Sequence, residues 1–243
     1  MSYSRLPMWN LSRIRAIALD LDDTLWPVWP TIERAEGVLQ HWLSEHAPAT
    51  AAWLSDPQRR RAVREQVHAE FPHLAHDLTF LRRESIRRAL AAAGDATELA
   101  EPAFEVFFAA RQQVALYPDA LPALQRLSRR FPVVSLSNGN ADLRRIGLDA
   151  HFVGTVSARE AGCKKPDPRI FHRAAAVAGV PPEAVVHVGD DFELDVLGAL
   201  GAGMQAVWVA RQPAAPMPAA HAAAVPVCAD LTELCKTLGI PLD

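Results

Sequence analysis

The 243-residue chain has little cysteine, no long apolar run and little net charge. Cys163, Cys228 and Cys235 form no close metal-binding or redox pair, and three is an odd number. Reduced thiols are therefore expected. No run of about 18 apolar residues occurs, which excludes a transmembrane helix. No continuous apolar stretch precedes Ile14, so no secretory signal is expected and the reading is a cytoplasmic protein. A net charge of −3 gives no reason to expect nucleic-acid or membrane partners. The basic clusters Arg59-Arg60-Arg61, Arg82-Arg83 and Arg87-Arg88 sit in helix-like stretches and read as solvated helix faces.

What the chain does have is apolar material: 50% of its residues are hydrophobic, enough for a sizeable core. The apolar run Ile14 to Leu19 reads as a buried strand. Trp26-Pro27-Val28-Trp29-Pro30 is too proline-rich to continue a helix or central strand and reads as a hinge. From Thr31 to about Leu116 the apolar positions recur at helical spacing, with Gly94 closing one helix and another expected from about Pro102 to Leu116. Beyond Tyr117-Pro118, strands alternate with helices: strands at 133–136, 152–156, 184–188 and 205–209, and helices at 119–130, 168–178 and 193–201. The stretch Gln212 to Pro226 reads as an irregular loop, before a last strand near Val227 and a helix over 231–238. This is an α/β pattern with a parallel sheet covered on both faces, interrupted by a helical bundle. The division expected is a core of residues 1–25 and 117–243 with an insertion over 26–116.

Polar groups gather at strand ends, where open α/β sheets hold their reactive groups. Asp20 and Asp22 follow the first strand; while extended geometry lasts, both point to one side. Crowded carboxylates want a hard cation or a proton between them. Ser137-Asn138-Gly139-Asn140 follows the next strand, then comes Lys164-Lys165-Pro166, then Gly189-Asp190-Asp191 with Asp195. Carboxylates, a hydroxyl, an amide and an ammonium suit phosphoryl transfer: a nucleophile, fixed donors for phosphoryl oxygens, a Mg²⁺ site and an acid/base.

These four stretches resemble the signatures of the haloacid dehalogenase-like hydrolase superfamily. Asp20, Asp22 and Thr24 match its Asp-x-Asp-x-Thr signature, Ser137 the second, Lys165-Pro166 the third, and Gly189, Asp190 and Asp195 the fourth. The resemblance implies a Rossmann-like parallel-sheet core with a helical cap, and an aspartyl-phosphate mechanism with Asp20 as nucleophile and Asp22 as general acid/base. It implies Mg²⁺ on the Asp20 carboxylate, the Asp22 carbonyl and Asp190, with Asp195 behind them orienting a metal-bound water or Lys165. Ser137 and Lys165, with Asn138, would bind the phosphoryl group. Ser137 to Ala141, His187 to Asp191, Gly203 to Ala206 with Trp208, and the insertion residues His76, Asp77, Thr79 and Arg82 are similar to a bacterial branch acting on flavin mononucleotide and 5-amino-6-(5-phosphoribitylamino)uracil. That similarity adds His76 and Arg82 as substrate-binding candidates. A small phosphorylated metabolite is the partner implied.

Phosphoglycolate and sugar-phosphate hydrolysis stay open, as do a phosphomutase, a 2-haloacid dehalogenase and a non-catalytic binding module. The second acid, Asp22, argues against dehalogenation. Between Lys164 and Lys165, the following proline favours Lys165 as the held residue. Asp191 reads as a helix N-cap more readily than a metal ligand. His68, His73 and His76 lack a carboxylate or thiol that would complete a metal site, and Pro72 interrupts the helix between them. Trp26 and Trp29 read as hinge packing, with ring stacking on a substrate as the alternative.

Overall fold

The structure, a computed structural model, describes residues 9–211 and 224–241. The chain divides into two compact units: Met1–Pro27, Ala115–Gly139 and Leu143–Asp243 form one, and Val28–Val114 with Asn140–Asp142 form the other.

The second unit is helical. Its helices are α1 (Val28–His46), α2 (Pro48–Leu54), α3 (Pro57–Glu70), α4 (Leu78–Ala93) and α5 (Ala100–Arg111). Residues 28–30, expected in a hinge, instead form the first turn of α1. Pro30 is tolerated there because a first-turn N–H has no intrahelical partner to lose. Ala35, Leu39 and Leu43 of α1 pack on Phe104 and Phe107 of α5, which gives this unit its own apolar core. Asp77 caps α4 by accepting from Phe80 N at 2.9 Å, and Gly94 ends it at φ +83°. Helix α5 stops five residues short of the expected Leu116. There the Gln112 side chain leaves the helix pattern to accept from Asp142 N at 2.7 Å.

The first unit is built on a six-stranded parallel sheet: β1 (Ala16–Leu19), β2 (Val133–Ser137), β3 (Gly154–Ser157), β4 (Val185–Gly189), β5 (Gln205–Val209) and β6 (Val227–Cys228). The strand order is β3-β2-β1-β4-β5-β6. Strands β1, β2, β4 and β5 are buried at every position, the consequence of helices on both faces. Around them lie α6 (Ala120–Arg130), α7 (Leu143–Ile146), α8 (Ala158–Ala161), α9 (Pro168–Ala178), α10 (Gly198–Gly201) and α11 (Leu231–Thr237). In α6, residues Ala120, Ala123, Leu124 and Leu127 follow the i, i+3, i+4, i+7 spacing and are all buried. Asp167 caps α9 through Arg169 N, and Gly179 ends it at φ +71°.

The expected helix over 193–201 is two pieces, a π-helical turn at Phe192–Leu197 running into α10. Of the expected Gln212–Pro226 loop, residues 212–223 lie outside the described residues. Cys163, Cys228 and Cys235 are buried and free. Among the described residues no helix is long and apolar enough to cross a membrane.

The chain builds β1, β2 and β3 outward in one direction, then returns to place β4 on the other side of β1. The β1/β4 junction is therefore the switch point, the place where open α/β sheets form a crevice beyond their carboxyl ends. Leu19 lies opposite Val188, and Asp20 N donates to Val188 O at 2.9 Å.

Candidate active site

Asp20 leaves β1 at this junction and is buried. Its Oδ1 accepts from Lys165 Nζ at 2.5 Å, and the same ammonium donates to Asp195 Oδ1 at 2.6 Å. Lys165 follows β3 and α8 in the chain. The Asn138 amide holds its backbone on both sides: Lys165 N donates to Asn138 Oδ1 at 2.8 Å, and Asn138 Nδ2 donates to Lys165 O at 3.2 Å. Asn138, expected to bind substrate, thus has its side chain engaged in placing Lys165. Ser137 ends β2 buried, and its Oγ accepts from Gly139 N at 2.9 Å.

Asp195 reaches back from the π-helical turn. Besides Lys165, its carboxylate accepts from His187 Nε2 at 2.8 Å and from Asp191 N at 3.1 Å. His187 is fully buried in β4, and burial holds its pKa below the usual histidine value, so the neutral ring donates through Nε2–H. Gly189 makes room for this arrangement. A Cβ at residue 189 would collide with the Asp195 carboxylate. Asp191 is the N-cap of the turn, accepting from Glu193 N and Leu194 N at 2.9 and 2.8 Å.

Carboxylate oxygens of Asp20, Asp190 and Asp195 lie within 4.8 Å of one another. Thr24 Oγ1 links two of them, at 3.4 Å from Asp20 Oδ2 and 3.3 Å from Asp190 Oδ1. Trp208 fixes the backbone beneath, donating from Nε1 to Asp190 O at 2.8 Å. Burial works against ionised Asp195, but Lys165 and His187 outweigh it and hold this carboxyl below the usual range. Asp20 goes the other way: burial, then the charges of Asp195 and Asp190, push it well up despite Lys165. Burial with Asp195 and Asp23 pushes Asp190 up to about 7. One ammonium does not balance three carboxylates. The hard oxygen donors and the surplus negative charge fit a divalent cation between Asp20 and Asp190. Asp195 carries three donors already, which sets it behind the metal position.

Strand β1 ends at Leu19, and beyond it Asp20 and Asp22 take different partners. Asp23 turns the chain with φ +59°, and Asp22 bridges to Trp26. Asp22 Oδ1 accepts from Trp26 Nε1 at 2.8 Å, and Asp23 N donates to Trp26 O at 2.7 Å. Trp26 is fully buried, as the packing reading expects, and its indole N–H is also tied to Asp22. Trp29 begins α1 and is 76% exposed. His76 lies in the turn before α4, and Arg82 on α4 donates to Glu36 Oε1 at 2.5 Å; both belong to the helical unit. Reading the sequence did not find Trp26 as a partner of Asp22, nor the roles of His187 and Trp208. A histidine inside an otherwise aliphatic buried strand, two residues before Gly189, was the available signal for His187.

Residues 14–203 match the haloacid dehalogenase-like hydrolase family. The chain belongs to that family. It is 33% identical to the 5-amino-6-(5-phospho-D-ribitylamino)uracil phosphatase of Escherichia coli, over 82% of this chain and 84% of that one. It is 32% identical to the glyceraldehyde 3-phosphate phosphatase of Methanopyrus kandleri, over 82% and 84% respectively. A crystal structure of a 2-haloacid dehalogenase from Pseudomonas syringae superposes with a TM-score of 0.86 at 36% identity, covering 93% of this chain and 98% of that one. The family and its phosphatase members make this chain an enzyme of the phosphatase kind.

Proposed function

We propose that the chain is a Mg²⁺-dependent phosphomonoesterase that works through an aspartyl-phosphate on Asp20. The observation that carries this reading is the separation of the two acids: Asp20 is paired with Lys165 at the switch point, while Asp22 is turned onto Trp26. On this reading one carboxylate attacks and the other handles the proton. Asp20, Asp190 and the Asp22 carbonyl would hold Mg²⁺, which, bound, offsets the repulsion between the phosphate dianion and the carboxylates.

An Asp20 carboxylate oxygen attacks phosphorus, and the bond from phosphorus to the leaving oxygen breaks as Asp22 gives that oxygen its proton. Lys165 stays protonated, raised by Asp195 and Asp20 against the opposing effect of burial. With the Ser137 hydroxyl it binds the phosphoryl oxygens. Asp22, now a carboxylate, takes a proton from water as that water attacks phosphorus. The bond to Asp20 breaks, inorganic phosphate leaves, and both acids return to their starting states.

Flavin mononucleotide and 5-amino-6-(5-phosphoribitylamino)uracil are the best candidate substrates, supported by the Escherichia coli relative at 33% identity. Phosphoglycolate and sugar phosphates come next. The helical unit would serve as the cap, with His76 and Arg82 reading the part of the substrate beyond its phosphate. Dehalogenation is the rival suggested by the Pseudomonas syringae structure. A single experiment separates the readings: assay purified protein with magnesium against these phosphate esters and against 2-chloropropionate, measuring phosphate and chloride. Phosphate release that is lost in Asp20→Asn and in excess chelator is expected. Chloride release without phosphate release would replace the proposal with dehalogenation.

A further inference from the structure

The helical unit holds a cleft of about 530 Å³, and every residue lining it belongs to that unit. Its volume is that of a small-molecule site. The floor is aliphatic, formed by Leu39, Leu43, Leu54, Val63 and Ile86, all buried. One wall is charged: Arg64 Nη2 and Arg82 Nη1 both donate to the same oxygen, Glu36 Oε1, at 2.5 Å each. Over the whole lining there are three arginines, Arg60, Arg64 and Arg82, and two glutamates, Glu33 and Glu36; Arg60 Nη1 donates to Leu54 O at 2.7 Å. The cleft therefore carries one positive charge in surplus. Arg82 is held in place from behind by the Phe107 ring, 4.2 Å from its guanidinium carbon to the ring centroid.

Gly37 lies in the interior of α1 and lines the cleft. A Cβ there would meet nothing within 4 Å, so packing does not require the glycine. A glycine in a helix interior is less favourable than alanine. Its effect here is to leave the rim of the cleft open. Trp29, 76% exposed, stands on the same rim as an unspent apolar surface.

We propose that this cleft is a second ligand site, one that takes an amphipathic carboxylate. The hydrocarbon body lies on the aliphatic floor, and the carboxylate meets the Arg64 and Arg82 forks that share Glu36. A monoanion matches the single surplus charge, and the planar guanidinium fork matches a carboxylate. Aliphatic lining with one rim tryptophan favours a chain over a flat ring system. The site shares no residue with the Asp20 cluster but does use Arg82, which the phosphatase reading also assigns to substrate, so binding is tested without phosphate esters and through Arg64 and Gly37, which that reading leaves unused.

The test is calorimetric titration of the full chain in chelator, without phosphate esters, using decanoate, decan-1-ol and decylamine below their aggregation ranges. Decanoate should bind at one site per chain with Kd on the order of 10–100 μM. Decan-1-ol should bind roughly tenfold more weakly, and decylamine without measurable heat. Arg64→Gln should bring decanoate down to the level of the alcohol. Gly37→Phe should remove binding, and Gly37→Ala, with its melting temperature raised, serves as the folding control for substitution at that position. No saturable decanoate binding overturns the proposal. So does equal affinity for decanoate and decan-1-ol, or unchanged binding in a folded Gly37→Phe variant.

Discussion

The Trp26 indole donates to Asp22 Oδ1 at 2.8 Å, four residues along the same loop. This bond, with the backbone bond from Asp23 N to Trp26 O, closes the loop that follows β1 and holds one oxygen of the Asp22 carboxyl. Trp26→Phe keeps a buried ring and removes only the donor. The expected result is a fall in kcat of about tenfold with KM changed less than about twofold, because orientation of the acid matters in the transition state more than in binding. An unchanged kcat on a phosphate ester would remove Trp26 as a positioning residue for Asp22.

Lys165 sits between two buried carboxylates, its side chain 3% exposed. Lys165→Met leaves Asp20 and Asp195 without their shared cation. Removing one partner of a buried ionic group costs about 3–5 kcal/mol, which for a chain of this size lowers the melting temperature by roughly 10 °C. Scanning calorimetry in chelator should show that loss, and added magnesium should recover part of it. A variant that melts with wild type in chelator would mean that the carboxylates do not depend on Lys165.

Gly189→Ala places a methyl group against the Asp195 carboxylate. Asp195 must then shift and release Lys165 or His187. Activity should fall by about a hundredfold or more while far-UV circular dichroism stays native, since the strand itself tolerates alanine. Near-wild-type turnover in this variant would show that the Asp195 contacts are dispensable.

Asp119 accepts from both Arg211 Nη atoms, at 3.0 and 2.9 Å, and from Leu231 N at 2.8 Å. Burial alone would raise its pKa, but these donors outweigh it and hold the group below its ordinary 3.8. A depressed folded pKa stabilises the protein above the unfolded value and loses that contribution as pH falls through the folded value. Asp119→Asn should therefore cost roughly 1–2 kcal/mol near neutral pH. The difference in melting temperature should shrink as pH falls below the ordinary 3.8 and through the lowered folded value. A gap that is the same at both ends of the range would assign the effect to packing instead of charge.

Much of the core was legible because its signals are local. Strand β5 and helix α9 begin and end where the apolar pattern and the caps place them, and the polar stretches at Asp20, Ser137 and Asp190 lie at or directly after their strands. The helical insertion was legible from its spacing, but not where α1 starts or α5 stops. A proline-rich segment can open a helix as well as break one, and α5 ends where a Gln112 side chain finds a partner 30 residues away. The Trp26 partner of Asp22 was hidden because it lies in the loop beyond Leu19, where the period of two no longer guides the reading.

The sequence by itself determined the candidate residues: Asp20, Asp22, Ser137 and Asp190 at or just beyond strand ends, with Lys165 and Asp195 farther along the chain. It did so because residue type and position after a buried strand are local properties of the chain. Only the tertiary structure decided how those acids divide. Lys165 joins Asp20 to Asp195 across separations of 145 and 30 residues, and Asp22 pairs with Trp26. That division depends on strand order and on one left-handed turn at Asp23. Both are set by how the whole chain packs, not by any single stretch of it.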